Sequence, residues 1–348
     1  MGSLIDDLRE KIRELDEDII KLMIERVKTA EEIGRLKNEL GLLIRDRDVE
    51  KKVIERYREL TTGTPLEPAS AETICKVLIQ NSVEVQAALP KVSAKKKNVC
   101  VIGGKGKMGV WISNLLRGSG HAVDSIDIGD DVRSAENYDV IIISVPLSSV
   151  GDILQNLDGI CKDQLIFDIS SLKSPFIGIL EKMGSRKKVC SIHPMFGPSA
   201  PSMYDRNVIV CDCGNKTAVK EVKELLGGHG ENFKEMQISD HDRYMSYVLG
   251  LSHAVNIAFF TVLERSGISF DDFESVASTT FKKNIDTNLS VASEDPLLYY
   301  EIQHLNSNSS SVWDEFSDAV EDVRDASMNN DPAEFDTIMK KGKGFFNE

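Results

Sequence analysis

Apolar residues near the start of the chain recur in alternating steps of four and three, at Leu8, Ile12, Leu15, Ile19 and Leu22. That spacing lays one stripe along a helix. The pattern continues through Ile33 to Leu40, then meets a stop signal at Gly41. The predicted helix is roughly 55 Å long at 1.5 Å per residue. Such a stripe is too long to bury within about ninety residues, so it calls for a partner chain. A second helix is predicted from Arg45 or Asp46 to about Leu60, then TTGTPLEP as a loop, then a third helix from about Ala69 to Leu89.

Pro90 to Asn98, PKVSAKKKN, is a short basic linker, and beyond it the pattern changes. VCVIGGKGKMG is a strand entering a glycine-rich turn, followed by the helix VWISNLLRGSG and the strand HAVDSIDI. Further apolar runs at VIIISVP, LIFDIS, VCSIHP and NVIVCD alternate with polar or helical stretches, which predicts a parallel, doubly wound sheet. From about Phe233 onward the chain reads as helix, with no strand signal. The expected layout is an all-α domain over 1–90, a linker over 91–98, an α/β domain over 99–232, and an all-α domain over 233–348. Both helical parts predict a homodimer.

Composition narrows the functional classes. Of 348 residues, 41% are hydrophobic and 28% charged, as in ordinary globular proteins. The net charge of −14 argues against nucleic acid as a partner and requires a local cation cluster for any anionic substrate. No apolar run is expected to reach the ~18 residues of a membrane span, and MGSLIDDLREK lacks the apolar core of a signal peptide. No membrane partner and a cytoplasmic location are the expectation. The six cysteines are scattered without metal-ligand spacing, and Cys211 and Cys213 in VIVCDC read as buried free thiols.

Two constellations carry chemistry. Continuing the helical stepping from Leu22 lands on Arg26, and from Ile33 on Lys37, so two cations sit where the seam should be apolar. Either they snorkel or pair with Glu25 and Glu39, or they line a pocket for a small dianion. In the second, Gly104, Gly106 and Gly109 follow the strand NVCVIG and open a helix, the context a dinucleotide turn requires. The first glycine is expected to permit the tight turn, the second to admit the pyrophosphate, and the third to let helix and strand pack closely. Lys107 and Met108 belong to the same turn. Asp127, ending the next strand, is placed for the adenosine ribose, and this acid favours NAD over NADP. Ser144, Val145 and Pro146 end the third strand at the cofactor crevice, and His193 stands at the end of another strand there.

The run LREKIRELDEDIIKLMIERVKTAEEIGRLK resembles the opening helix of the all-helical chorismate mutases, and the likeness extends to NSVEVQAAL. The resemblance implies that Arg26 grips a substrate carboxylate and that Arg9 is lent by a partner subunit. It implies that Lys37 and Gln86 hydrogen-bond the ether oxygen, and that Asp46, Glu50 and Ser82 complete the pocket. Chorismate rearranges in one concerted step, so the site must hold a floppy dicarboxylate and stabilise charge on the breaking ether. Removing Lys37 should cost more rate than removing a carboxylate contact. The family usually has an arginine where this chain has Val49, and Arg45 or Arg47 lies near enough to substitute.

GGKGKMG, SVPLSSV, DISSLK, HPMFGP, DHDRYMSYVLGLSHAV and SEDPLLYYEI resemble prephenate dehydrogenase, with its Rossmann-like domain and helical dimerisation domain. The resemblance makes His193 the catalytic histidine, accepting the substrate hydroxyl's hydrogen bond while uncharged. It puts Ser171 near that hydroxyl, and Lys173 and His253 in the substrate pocket. The expected activity is a chorismate mutase joined to an NAD-dependent prephenate dehydrogenase. Where the family carries a carboxylate-gripping arginine this chain has Ser290, and Lys282 or Lys283 is expected to take over the carboxylate. That departure leaves two alternatives beside an active mutase: a dehydrogenase domain without turnover, or one that uses a relative such as arogenate.

Overall fold

The computed structural model describes residues 2–40, 42, 44–89 and 95–347. The expected stop at Gly41 and most of the expected linker, 90–94, lie outside the described residues. The chain forms two compact units, Met1–Ser170 with Ile179–Met236, and Ser171–Gly178 with Gln237–Glu348.

The first unit begins with three helices, α1 (Gly2–Leu40), α2 (Arg47–Thr61) and α3 (Pro68–Ala88). Asp46 caps α2, its carboxylate accepting the N–H groups of Asp48 and Val49 at 3.1 Å each. Pro68 opens α3 at the position where a missing N–H costs nothing. Both α1 and α2 pack on α3. The early stripe of α1 packs on nothing within the chain, since Leu8, Ile12, Leu15, Ile19 and Leu22 are each more than half exposed. This is the outcome expected of a helix built for a partner.

Seven strands follow: β1 (Asn98–Ile102), β2 (Ala122–Ile126), β3 (Val140–Ile143), β4 (Leu165–Asp168), β5 (Val189–Pro194), β6 (Asn207–Asp212) and β7 (Asn232–Gln237). Their order is β2-β1-β3-β4-β5-β6-β7. The pairs β1–β2, β1–β3, β3–β4 and β4–β5 are parallel. The sheet departs from the wholly parallel expectation at β6, which runs antiparallel to β5. No helix lies between those two strands, and a parallel crossover needs one. β7 is a strand that the pattern did not signal; NFKEMQ is only partly buried, and lacks the continuous apolar run by which its neighbours were legible. Helices α4 (Lys107–Gly118), α5 (Leu147–Ile160), α6 (Ile177–Gly184) and α7 (Lys216–Leu226) complete this α/β part. Ile112 and Leu116 of α4 and Val219 and Val222 of α7 pack with Val101, Ile142 and Phe167 of the strands in one core.

The second unit is helical. α8 (Ile238–Met245) continues through a π-turn, Ser246–Leu251, into α9 (Ser252–Arg265). There follow α10 (Phe270–Ser275), α11 (Thr279–Ala292), α12 (Pro296–His304), α13 (Ser309–Met328) and α14 (Ala333–Phe345). The stretch Ile238–Arg265 corrects one expectation. Its 28 residues contain a window of mean hydropathy 1.5, long and apolar enough to cross a membrane by composition, and only 17% of that window is buried. The polar Ser252, His253 and Asn256 interrupt the apolar run to the eye, while no charged residue occurs between Ser246 and Leu263. Val255, Val262, Leu289 and Val320 are exposed on this unit, again the surface of a protein that pairs.

Candidate active sites

A cavity of about 520 Å³ opens between α1, α2 and α3, and Arg26, Lys37, Asp46, Glu50, Ser82 and Gln86 all line it. The two seam cations resolve in favour of the pocket. Arg26 Nη1 donates to the Leu78 carbonyl at 2.6 Å and to Ser82 Oγ. Lys37 Nζ donates to the Ile44 carbonyl at 2.5 Å. Neutral oxygens thus hold both cations in place of Glu25 and Glu39, and neither cation forms an ion pair among the described residues, although Glu25 also lines the cavity. Gln86 is buried; its Nε2 donates to the Ser82 carbonyl at 3.1 Å, and its Oε1 has no partner. A buried acceptor left open on a cavity wall is costly unless a ligand or water completes it. Asp46 also caps α2, so its carboxylate is shared between wall and helix end.

Two expectations need adjustment. Val49 lines the cavity, but neither Arg45 nor Arg47 does. Arg45 turns away, bonding Glu50 Oε2 at 3.3 Å and Asp205 Oδ1 at 2.5 Å, while Arg47 is exposed. Arg9 is exposed on the unpacked part of α1, beside Asp6 at 3.3 Å. At 1.5 Å per residue it sits about 25 Å along the helix from Arg26, beyond reach of its own chain's cavity.

The glycine-rich turn is built from backbone clearances. The left-handed residue is Gly103 (φ +85°), where a Cβ would fall 2.2 Å from the Ser144 carbonyl oxygen. The tight turn therefore belongs to Gly103 and not to Gly104, which the spacing had favoured. Gly104 matters for a different reason, since a Cβ there would lie 2.3 Å from Ser125 Cβ. At Gly109 it would lie 2.2 Å from the Gly103 oxygen, and at Gly106 3.2 Å from the same atom. Gly106 caps α4 without a side chain, leaving the first N–H groups, from Lys107 on, open to an anion. Met108 packs toward the sheet core. Ser144 N–H donates to the Ile102 carbonyl at 2.8 Å, joining the ends of β1 and β3 where the strand order reverses; Val145 and Pro146 follow it into α5.

Asp127 Oδ1 accepts the Lys105 N–H at 3.1 Å, and its Oδ2 is buried without a partner. A carboxylate oxygen open in this way, beside a glycine turn, suits the vicinal hydroxyls of a ribose. The residues present fit a dinucleotide.

His193 is 5% exposed on β5 and pairs with Ile209 of β6, two residues past the last β4–β5 partner, Ser191. It ends its strand on the same edge of the sheet as Ser144. The remaining expected residues belong to the second unit. Ser171 is half-buried and Lys173 fully buried. Their loop is tied to α8 by Asp242, whose carboxylate accepts the Lys173 N–H at 3.0 Å, the Ser174 N–H at 2.6 Å and the Ser174 hydroxyl at 2.5 Å. His241 Nδ1 lies 2.6 Å from the same carboxylate. Burial works against the charge, but His241 and Ser174 hold this carboxyl below its ordinary range. His253 stacks on Tyr299 with ring centroids 4.0 Å apart, its Nδ1 is unpartnered, and burial lowers its pKa. Lys282, Lys283 and Ser290 are exposed on α11. Gly103, Asp242 and His241 were missed as site residues: the doubled glycine of VIGGKG was a visible signal, whereas nothing in DHDRYM announces which loop its acid holds.

Comparison with known proteins divides the chain in three. The family described as chorismate mutase type II matches residues 8–87. The nucleotide-binding domain of prephenate dehydrogenase matches 108–235, and its dimerization domain matches 237–341. A T-protein from Haemophilus influenzae is 24% identical, covering 99% of this chain and 93% of its own. A chorismate mutase from Methanocaldococcus jannaschii is 32% identical over 80 residues, 23% of this chain and 81% of its own. Among solved structures, prephenate dehydrogenase from A. aeolicus in complex with hydroxyphenyl propionate and NAD+ superposes with a TM-score of 0.58. It is 20% identical and covers 72% of this chain and 97% of its own, a likeness that speaks for the fold.

Proposed function

We propose, for a chain that belongs to the family joining type II chorismate mutase to prephenate dehydrogenase, that it performs two successive steps of tyrosine biosynthesis. It rearranges chorismate to prephenate, then decarboxylates prephenate oxidatively with NAD to 4-hydroxyphenylpyruvate. The observation that carries the first step is the cavity in which Arg26, Lys37 and Gln86 converge without a neutralising carboxylate on either cation.

Arg26 clamps a substrate carboxylate and so holds chorismate in its compact conformer. Lys37 and the second N–H of the Gln86 amide meet the ether oxygen as charge develops on it, the stage at which fixed donors accelerate a reaction. No proton moves, so no titrating base is required. We assign Arg9 to the cavity of a second copy, because its own cavity is out of reach and the α1 stripe is uncovered; this makes the enzyme a homodimer. Six free, buried thiols suit a reducing cytoplasm.

For the second step, the Gly103–Gly109 turn, the start of α4 and Asp127 would hold NAD, with Ser144, Val145 and Pro146 at the crevice. NAD, when bound, supplies the hydride acceptor. His193 accepts the hydrogen bond of the ring hydroxyl, takes its proton and leaves electron density on the carbon being oxidised. Loss of carbon dioxide makes the ring aromatic and drives the step forward. Ser171 orients the hydroxyl, while Lys173 and His253 shape the pocket for the ring acid.

Purified protein given chorismate and NAD should consume chorismate and raise the NADH absorbance together. A chorismate-consuming protein with no NADH signal would confine the activity to the mutase. Ser290, with Lys282 and Lys283 offering point charges instead of an arginine fork, favours a second reading in which arogenate is the better dehydrogenase substrate. Comparing kcat/KM for prephenate and arogenate decides it.

A further inference from the structure

Glu50 lines the mutase cavity from α2, but the groups that hold it come partly from outside the helical domain. Tyr204, in the loop between β5 and β6, donates its hydroxyl to Glu50 Oε1 at 3.3 Å. Arg45 lies 3.2 Å from the same oxygen, and its guanidinium sits 5.4 Å from the Tyr204 ring centroid. Asp205, next to Tyr204, takes the other side of Arg45 at 2.5 Å. The sheet domain thus supplies a hydroxyl to the wall residue Glu50, and a ring face and a counter-charge to Arg45, the cation that holds it.

The cluster is built with care. Tyr204 is 3% exposed and packs with Ile44, Val83 and Ala87 of the helical part. Gly230 (φ +80°) lies flat against the ring, where a Cβ would come within 2.5 Å of Cδ2. Asp205 holds a left-handed backbone (φ +51°), the only non-glycine to do so among the described residues. The loop is pinned from the cofactor side too, as Trp111 of α4 donates to the Ala200 carbonyl at 2.7 Å. Burial, then the Glu50 charge, push the Tyr204 hydroxyl well above its ordinary range, so it remains a donor.

We propose that Tyr204 is a positioning residue of the mutase site, fixing the Glu50 carboxylate so that the nucleotide-binding domain completes the cavity of the helical domain. A free carboxylate in this wall would swing into the path of a dianionic substrate and repel it. Tied between Tyr204 and Arg45, Glu50 is held at the wall and presents an acceptor to a substrate hydroxyl. The inference rests on the mutase reading above.

The test uses the full-length protein. Tyr204→Phe removes the hydroxyl and keeps the ring. It should raise the mutase KM for chorismate about tenfold, the worth of one hydrogen bond to a charged group, with kcat within about twofold. NADH formation from prephenate should not move, and the melting temperature should fall by no more than the loss of one buried hydrogen bond allows. In a Glu50→Ala background the same change should add less than about twofold, because a residue acting through Glu50 has nothing left to position. An unchanged KM in Tyr204→Phe overturns the proposal, as does an equal effect with and without Glu50, or a parallel loss of both activities and of melting temperature. Failure of the parent reading is distinct: the unaltered protein would then leave chorismate unconverted, and both would fall together.

Discussion

The helical cavity and the dinucleotide crevice, to which we assign ring acids of the same kind, are made of different materials. In the cavity, side chains do the work: Arg26, Lys37 and Gln86 project from two helices of one compact unit and converge on one volume. In the crevice the glycines contribute by what they lack, keeping Cβ atoms away from backbone only about 2 Å distant. The difference follows from the chemistry. A concerted rearrangement needs only fixed charge around a folded conformer, which a short helical segment can supply. Oxidation must bring a cofactor, a base and a substrate together, and draws on more of the chain.

That contrast predicts reciprocal losses. His193→Asn should lower prephenate-dependent NADH formation by about 10²–10⁴-fold and leave chorismate turnover intact. Lys37→Ala should lower chorismate turnover by about 10²–10³-fold and leave the dehydrogenase intact. Stopped assays of each variant with each substrate would expose the alternative, in which either change depresses both rates. Next in size, Asp242→Asn weakens the anchor of the Ser171–Ser174 loop. We expect a loss of about 2–3 kcal/mol in denaturant unfolding of the second unit, together with a raised KM for prephenate and a normal mutase. A variant as stable as the parent would show that the four donors are satisfied elsewhere. Asp127→Ala removes the open carboxylate beside the glycine turn, so KM for NAD should rise about tenfold and discrimination against NADP should shrink.

The smallest effect is on stability against pH. Burial lowers the pKa of His253, and of His121 with help from Lys97, below the ordinary 6.5. The unfolded chain therefore takes up protons first as pH falls through 6.5, and stability declines from there toward the folded pKa values. Above 6.5 both histidines are neutral in either state and contribute no slope. Calorimetry at pH 7.5 and 5.5 should show a lower melting temperature at the acid value, with a smaller drop in His253→Gln. A rise on acidification would reverse the sign and refute the assignment.

Much of the architecture was legible beforehand, and the reasons are local. The apolar runs of β1, β3, β4 and β5 announce themselves because those strands are buried almost along their whole length, and the four-three stepping of α1 because it keeps one apolar stripe, left exposed within this chain. β7 did not, because NFKEMQ is only half covered. The antiparallel turn of β6 was also hidden, since strand direction depends on the connection and not on the strand's own residues. Arg26 and Lys37 stood out as cations interrupting an apolar seam. Tyr204 carried no such mark, since a tyrosine in a loop looks alike whether it faces solvent or a carboxylate from a distant helix.

What the chain's order of residues determined alone was periodicity and chemistry within short reach: which segments coil, which extend, where a phosphate could approach the backbone, and which side chains are too charged for their setting. What folding decided was partnership over distance. Whether Arg45 would serve the cavity or brace Glu50, which glycine would take the left-handed turn, and which acid would hold the loop before α6 all depended on atoms brought together from remote segments. Backbone propensity acts over a few residues, whereas hydrogen bonds and ion pairs are made by whatever three-dimensional packing places within about 3 Å.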